Sequence, residues 1–80
     1  MALFWLAYQT KTGVCVVLQE APSLVHARMS TALAGLDGGF EFREGHELDA
    51  KTARRVPKAS IGKCLSPKQA EALLKKLVAN

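Results

Sequence analysis

The alternation of apolar and polar residues predicts a β-hairpin at the start of the chain. Residues 2–9 and 14–20 are rich in aromatic and β-branched residues, and the loop at 10–13 ends in a glycine that suits a positive φ. The first run is apolar on both faces of a strand, whereas the second becomes polar on one face at Gln19. Strands that are apolar on both faces belong in the middle of a sheet. We therefore predict that the first strand is central.

After Pro22 the spacing of apolar residues becomes helical. Ser23 is placed to cap a helix that runs to residue 36, before Gly38 and Gly39. The apolar stripe expected to face the core comprises Val25, Met29, Ala32, Leu33 and Leu36. Residues 40–43 then alternate between apolar and charged, which predicts a short third strand.

The strongest helical signal lies at the C-terminal end. Ser66, Pro67 and Gln69 form a capping box. The stripe that follows consists of Ala70, Leu73, Leu74 and Leu77. A further short helix is predicted over residues 49–56, with Asp49 as its cap and Pro57 as its stop. The pattern over residues 58–65 favours no single conformation.

These elements predict one α+β domain over residues 1–80, with the order β-β-α-β and one or two C-terminal helices. A right-handed crossover with the apolar strand in the middle gives the strand order 2-1-3, with every pairing antiparallel. We expect the first helix and the C-terminal helix to cover one face of the sheet. The other face would then expose either Phe4, Leu6 and Tyr8 or Leu3, Trp5 and Ala7. A homodimer would cover such a row.

Composition places the chain among ordinary globular proteins. Hydrophobic residues make up 49% and charged residues 22% of the 80 residues, and the mean hydropathy is +0.06. The apolar run at residues 1–8 has neither the length of a membrane helix nor the flanks of a signal peptide. We therefore expect a cytoplasmic protein that does not bind membranes. Two cysteines, Cys15 and Cys64, are too few for a disulfide framework and are expected to be free thiols.

Charge divides the chain into an acidic part and a basic part. Residues 1–49 hold three basic and six acidic side chains, whereas residues 50–80 hold eight basic side chains and one acidic. The basic residues of the middle segment are Lys51, Arg54, Arg55, Lys58 and Lys63. Such a cluster can neutralise nucleic-acid phosphates, or it can simply be a solvated face. The cluster contains no aromatic residue to stack on bases.

Two further patterns have weaker chemical content. Residues 44–49 place His46 among three carboxylates, as in a metal site or an acid–base pair, but an exposed loop whose Asp49 caps the next helix explains them better. Cys15 or Cys64 could act as a nucleophile with His26 or His46 as base. Packing explains Cys15 and His26 better. Cys64 is the more reactive candidate of the two cysteines because lysines lie near it, but an accidental proximity of those lysines is the simpler explanation. We expect no catalytic residue, metal, cofactor or small-molecule substrate, and no enzymatic activity.

Two resemblances extend this picture. The chain from residue 1 to 77, with its Gly-His-Glu-Leu-Asp motif at 45–49 and Ala-Arg-Arg-Val-Pro-Lys at 53–58, resembles short hypothetical proteins of proteobacteria, which have no assigned activity. Residues 56–74, with Gly62-Lys63, a capped helix and a Leu-Leu pair, are similar to the start of the C-terminal repeats of bacterial type IA topoisomerases. Those repeats are accessory DNA-binding segments, so this resemblance implies contact with DNA.

Two hypotheses about function follow. The first is weak nucleic-acid binding through the five basic residues of the middle segment. The second is a protein-interaction or structural role, with self-association through an uncovered sheet face and a basic surface that is incidental. Both describe a non-enzymatic binding protein.

Overall fold

The computed structural model describes residues 1–78, which form a four-stranded antiparallel sheet with helices on both of its faces. A 3₁₀ turn at Lys58–Ser60 precedes the last strand. The strands and helices are β1 (Ala2–Thr10), β2 (Gly13–Ala21), α1 (Leu24–Leu33), β3 (Glu41–Glu47), α2 (Ala50–Arg54), β4 (Cys64–Leu65) and α3 (Pro67–Val78). Within residues 1–78, every helix is too short or too polar to cross a membrane.

The sheet has the strand order β3-β1-β2-β4, so the predicted order of the first three strands and their antiparallel pairing are confirmed. β1 and β2 form the predicted hairpin, in register from Ala2 opposite Ala21 to Thr10 opposite Gly13. The fourth strand was not predicted. It joins the sheet where Cys64 pairs with Val17, and a strand of two residues is too short to show any alternation in the sequence.

β3 is longer than predicted because it continues through the segment expected to be an exposed loop. Residues 44–47 pair with β1, and Arg43 is the extra residue of a bulge between the pairs Ala7–Glu44 and Tyr8–Phe42. The sequence of β3 resembles that of a loop because it is rich in charged residues. Such residues are also typical of an exposed edge strand. The prediction of a loop over residues 44–47 is therefore wrong.

The two long helices lie on opposite faces of the sheet, not on the same face as predicted. One core cluster faces α1 and consists of Phe4, Leu6, Tyr8, Cys15, Val17, Ala21 and Ala27. The other faces α3 and consists of Leu3, Trp5, Val16, Leu18, Leu48, Val56, Leu65, Ala70, Leu73 and Leu77. Both faces of the central strand are thus used, as its uninterrupted apolar sequence requires.

This arrangement removes the reason for expecting a homodimer through β1. Every residue from Leu3 to Tyr8 is buried in the isolated chain. The face expected to be bare is covered by α3 together with the segment that leads to it, which contributes Leu48, Val56 and Leu65. The prediction of an uncovered row on β1 is therefore wrong.

α1 is rotated relative to its predicted orientation and is shorter. Its buried residues are Ala27 and Thr31, whereas Val25, Met29 and Leu33 are 64%, 56% and 87% exposed. Small side chains let the helix lie close to the sheet. The Thr31 hydroxyl can be buried because it donates a hydrogen bond of 2.8 Å to the carbonyl of Ala27. Four members of the predicted stripe, Val25, Met29, Ala32 and Leu33, are therefore exposed, and only Leu36, beyond the end of α1, packs partly against the core.

α3 forms as predicted. The Gln69 amide donates to Ser66 Oγ at 3.2 Å, and the Ser66 amide donates to Gln69 Oε1 at 3.0 Å, which completes the capping box. Ala70, Leu73 and Leu77 are buried, whereas Leu74 is 49% exposed. Three members of the predicted stripe therefore lie in the core, and Leu74 lies at its margin.

Candidate nucleic-acid interface

The basic segment, defined here as residues 50–63, is a short helix, a 3₁₀ turn and a loop that together follow the edge of the core. Asp49 begins α2 as predicted, because its Oδ1 accepts a hydrogen bond of 2.7 Å from the Thr52 amide. This bond is the main reason that the pKa of Asp49 is lowered, and the nearby cations Lys51 and Arg55 lower it further. α2 ends at Arg54, just before Pro57.

Two apolar side chains attach the basic segment to the sheet. Val56 is buried in the core beneath α3. Ile61 packs against the same cluster and forms an isolated parallel bridge with Leu18, beside which the Gly62 amide donates a 2.7 Å hydrogen bond to the Leu18 carbonyl. Gly62 has a φ of 77°, a conformation in which a side chain would be strained. The backbone of the segment is therefore fixed, while its charged side chains point outward.

The structure exposes all five predicted basic residues, and two carboxylates lie near them. Arg54 and Lys58 line one cavity of about 700 Å³ together with Glu20. Lys51 and Arg55 lie near the carboxylate of Asp49. The fifth, Lys63, follows the Gly62 turn and lies directly before β4.

Arg55 also links the basic segment to the end of α3. Its Nη1 donates a hydrogen bond of 3.2 Å to the carbonyl of Leu77. Lys75 and Lys76 lie in this last turn of α3 and are exposed. The sequence did not predict that these lysines belong to the same end of the molecule as the basic segment, because the contact joins residues 22 positions apart.

The residues proposed for other chemistry are not assembled into sites. Among residues 1–78, no group of three or more His, Cys, Asp and Glu side chains is placed to hold a metal ion. His46 lies on edge strand β3 and Cys64 on the opposite edge strand, β4. His26 Nδ1 is instead 2.7 Å from Ser23 Oγ at the start of α1.

The two cysteines are neighbours on the sheet and differ in accessibility. Cys15 is buried and Cys64 is exposed, and neither forms a disulfide, as predicted. Burial, together with the adjacent Cys64, raises the pKa of the Cys15 thiol to about 11. A nucleophilic cysteine needs the opposite shift, so Cys15 is suited to packing.

No protein-family model matches the chain, and no curated protein or solved structure is significantly similar to it.

Proposed function

We propose that this protein is a non-enzymatic binding domain that contacts nucleic-acid phosphates weakly through its basic segment. The observation that carries the proposal is the exposure of Lys51, Arg54, Arg55, Lys58 and Lys63 on a backbone fixed by Val56 and Ile61. A fixed backbone limits the conformational entropy lost when such a surface binds a polyanion. The hydrogen bond from Arg55 to Leu77 places the last turn of α3, with two more lysines, beside the segment.

The chemistry of the basic segment favours binding without sequence preference. Lysine and arginine bind phosphate oxygens through charge, and phosphate contacts carry little sequence information. Residues 50–63 contain no aromatic side chain on which a base could stack. Two carboxylates, Glu20 and Asp49, lie among the cations and partly neutralise them. The resemblance of residues 56–74 to DNA-binding topoisomerase repeats also supports this proposal.

The salt dependence of binding is the first test. Fluorescence anisotropy would compare duplex DNA, single-stranded DNA and RNA of mixed sequence. If three to five phosphates are neutralised, the affinity for duplex DNA falls roughly 40- to 500-fold between about 50 and about 200 mM salt. An affinity that does not change over this range, or no binding at the lower salt concentration, would refute the proposal.

A matched pair of charge reversals then locates the interface. Arg54→Glu with Lys58→Glu removes two cations from the basic segment, and both side chains are exposed. Lys11→Glu with Lys68→Glu changes the net charge equally at the other end of the molecule, where Pro67 lies against Gly13. We expect the first pair to abolish binding to all three nucleic acids and the second to weaken it only slightly. Equal losses would indicate attraction by net charge alone.

A further inference from the structure

The outer side of α1 carries a group of apolar side chains that are exposed in the isolated chain. Val25, Met29 and Leu33 are spaced four residues apart on this helix and are 64%, 56% and 87% exposed. Phe40 is 41% exposed and lines a cavity of about 420 Å³ together with Val25, Met29 and Ala32, which is exposed as well. We call these five side chains the α1 patch.

The fold holds the α1 patch open. α1 buries Ala27 and Thr31 against the sheet, so the opposite side of the helix, which carries the patch, faces away from the sheet. Phe40 is fixed by the turn that precedes β3. Its amide donates a hydrogen bond of 2.9 Å to the Asp37 carbonyl, and its ring lies so close to Gly38 that an added Cβ would be 3.0 Å from Phe40 Cε2. These apolar groups are therefore not free to fold inward.

The α1 patch is uncharged, although charged residues make up 22% of the chain. α1 contains a single charged residue, Arg28, whose guanidinium lies 3.9 Å over the ring of Phe42. The Asp37 carboxylate lines the same cavity as Arg28, so one positive and one negative charge offset each other at its edge. A partner selected by charge would have little to recognise on this surface. Two copies of it, in contrast, can meet without electrostatic repulsion.

The spacing of the α1 patch suits a two-fold axis. Val25 and Leu33 each lie four residues from Met29, on either side of it. When two copies of α1 pack antiparallel about an axis near Met29, Val25 lies opposite the partner's Leu33, and Leu33 lies opposite the partner's Val25. Met29 then contacts the partner's Met29. Each large apolar residue of the helix thus meets an apolar residue of the second copy.

The area of the α1 patch matches what a homodimer of standard size needs. With about 150–250 Å² of accessible surface per side chain of this size, its four large residues expose roughly 450 Å². A standard interface buries about 800 Å² on each partner, and a little more than half of that area is apolar. The α1 patch alone therefore supplies the apolar part of one such interface.

We propose that the α1 patch is a homodimer interface, in which α1 packs antiparallel against α1 of a second copy about a two-fold axis near Met29. This interface differs from the one that the sequence predicted through β1, whose residues from Leu3 to Tyr8 are buried. The basic segment is anchored on the side of the sheet that α3 covers, so it stays exposed in both copies. Dimer formation does not depend on whether that segment binds nucleic acid.

Sedimentation equilibrium between about 5 µM and about 1 mM protein tests the proposal. We expect a monomer–dimer equilibrium with a Kd of about 10–100 µM, as for interfaces near the lower limit of size. Met29→Lys with Leu33→Lys should raise this Kd at least about tenfold, because the new ammonium groups would lose water at the interface. Val78→Lys, an equally apolar and exposed position on α3, is the control and should change the Kd less than about twofold. Circular dichroism would confirm that each variant is folded.

Disulfide cross-linking tests the register of the two helices. Met29→Cys, combined with Cys64→Ser to remove the exposed native thiol, places one accessible cysteine near the axis. We expect mild oxidation to convert this variant to a covalent dimer, whereas Lys68→Cys in the same background, exposed on α3, should stay largely monomeric. A mixture of Val25→Cys and Leu33→Cys proteins should cross-link faster than either protein alone.

Three results would overturn the proposal. An unmodified protein that remains a monomer at about 1 mM would leave the α1 patch to a partner other than a second copy. A dimer that Val78→Lys weakens as much as the α1 variant does would have its interface on the other face of the sheet. Equal rates of cross-linking at residues 29 and 68 would indicate random collision.

Discussion

Replacing Gly45 by alanine tests how α1 and β3 pack against the sheet. Gly45 lies on β3 opposite Leu6, and its φ is not in the left-handed region, so its backbone conformation would accept alanine. In a strand, alanine is favoured over glycine by about 0.5–1 kcal/mol. Local structure alone therefore predicts that the substitution stabilises the protein.

The surroundings of Gly45 predict the opposite sign. A Cβ atom at this position would lie 2.9 Å from Leu24 Cδ1, 2.9 Å from Leu6 Cδ2 and 3.1 Å from Phe42 Cζ. Leu6 is fully buried and cannot move freely, whereas Leu24 is half-buried at the start of α1 and can shift. Overpacking of this kind destabilises by about 1–3 kcal/mol. After the gain from alanine is subtracted, we expect a net loss of about 1 kcal/mol.

Urea denaturation followed by circular dichroism would measure this loss. A small domain with an m-value of about 1 kcal/mol per molar urea should show a midpoint lower by about 1 M. Glu44→Ala, an exposed change on the same strand, is the control and should shift the midpoint little. In a double-mutant cycle, Leu24→Ala should relieve most of the effect of Gly45→Ala. A neutral or stabilising Gly45→Ala would refute the packing of α1 described above.

Three further outcomes follow from burial. Leu33→Lys should leave the stability within about 0.5 kcal/mol of the parent, whereas Leu73→Lys should prevent folding, as thermal unfolding would show. An alkylating reagent should modify Cys64 rapidly and Cys15 only after unfolding, which intact-mass measurements would detect. Burial raises the pKa of both Cys15 and Tyr8, so these groups ionise more readily in the unfolded chain. The free energy of unfolding should therefore be unchanged below the ordinary thiol pKa of about 9 and should fall by about 2 kcal/mol as the pH rises to about 11. Urea denaturation across this pH range would measure the fall, which should be smaller in Cys15→Ala.

The elements whose signals are local could be predicted from the sequence. The hairpin follows from two β-rich runs around Gly13, and α3 follows from its capping box. The central position of β1 follows from its apolar character on both faces. β4 and the continuation of β3 could not be predicted, because the pairing of Cys64 with Val17 and of Gly45 with Leu6 depends on contacts distant in sequence.

The orientation of α1 shows where apolar spacing misleads. Val25, Met29 and Leu33 form the larger apolar stripe in the sequence, yet α1 buries Ala27 and Thr31. Small residues permit a close approach to the sheet, and a threonine whose hydroxyl bonds within the helix can be buried at little cost. The spacing of apolar residues along the helix gives no information about side-chain volume or hydrogen bonding, which explain this orientation.

The candidate interface was predictable in composition but not in layout. The five basic residues of the segment are exposed, as the charge count indicated. The position of Glu20 beside Arg54 and Lys58, and the contact of Arg55 with Leu77, depend on the fold.

The nucleic-acid interface is tested most directly by a titration of ¹⁵N-labelled protein with mixed-sequence DNA at low salt, followed by amide chemical shifts. We expect the largest shifts in residues 50–63 and in the last turn of α3, reached at similar DNA concentrations and reversed by added salt. Shifts confined to α1, or an unchanged spectrum at saturating DNA, would contradict the proposed function.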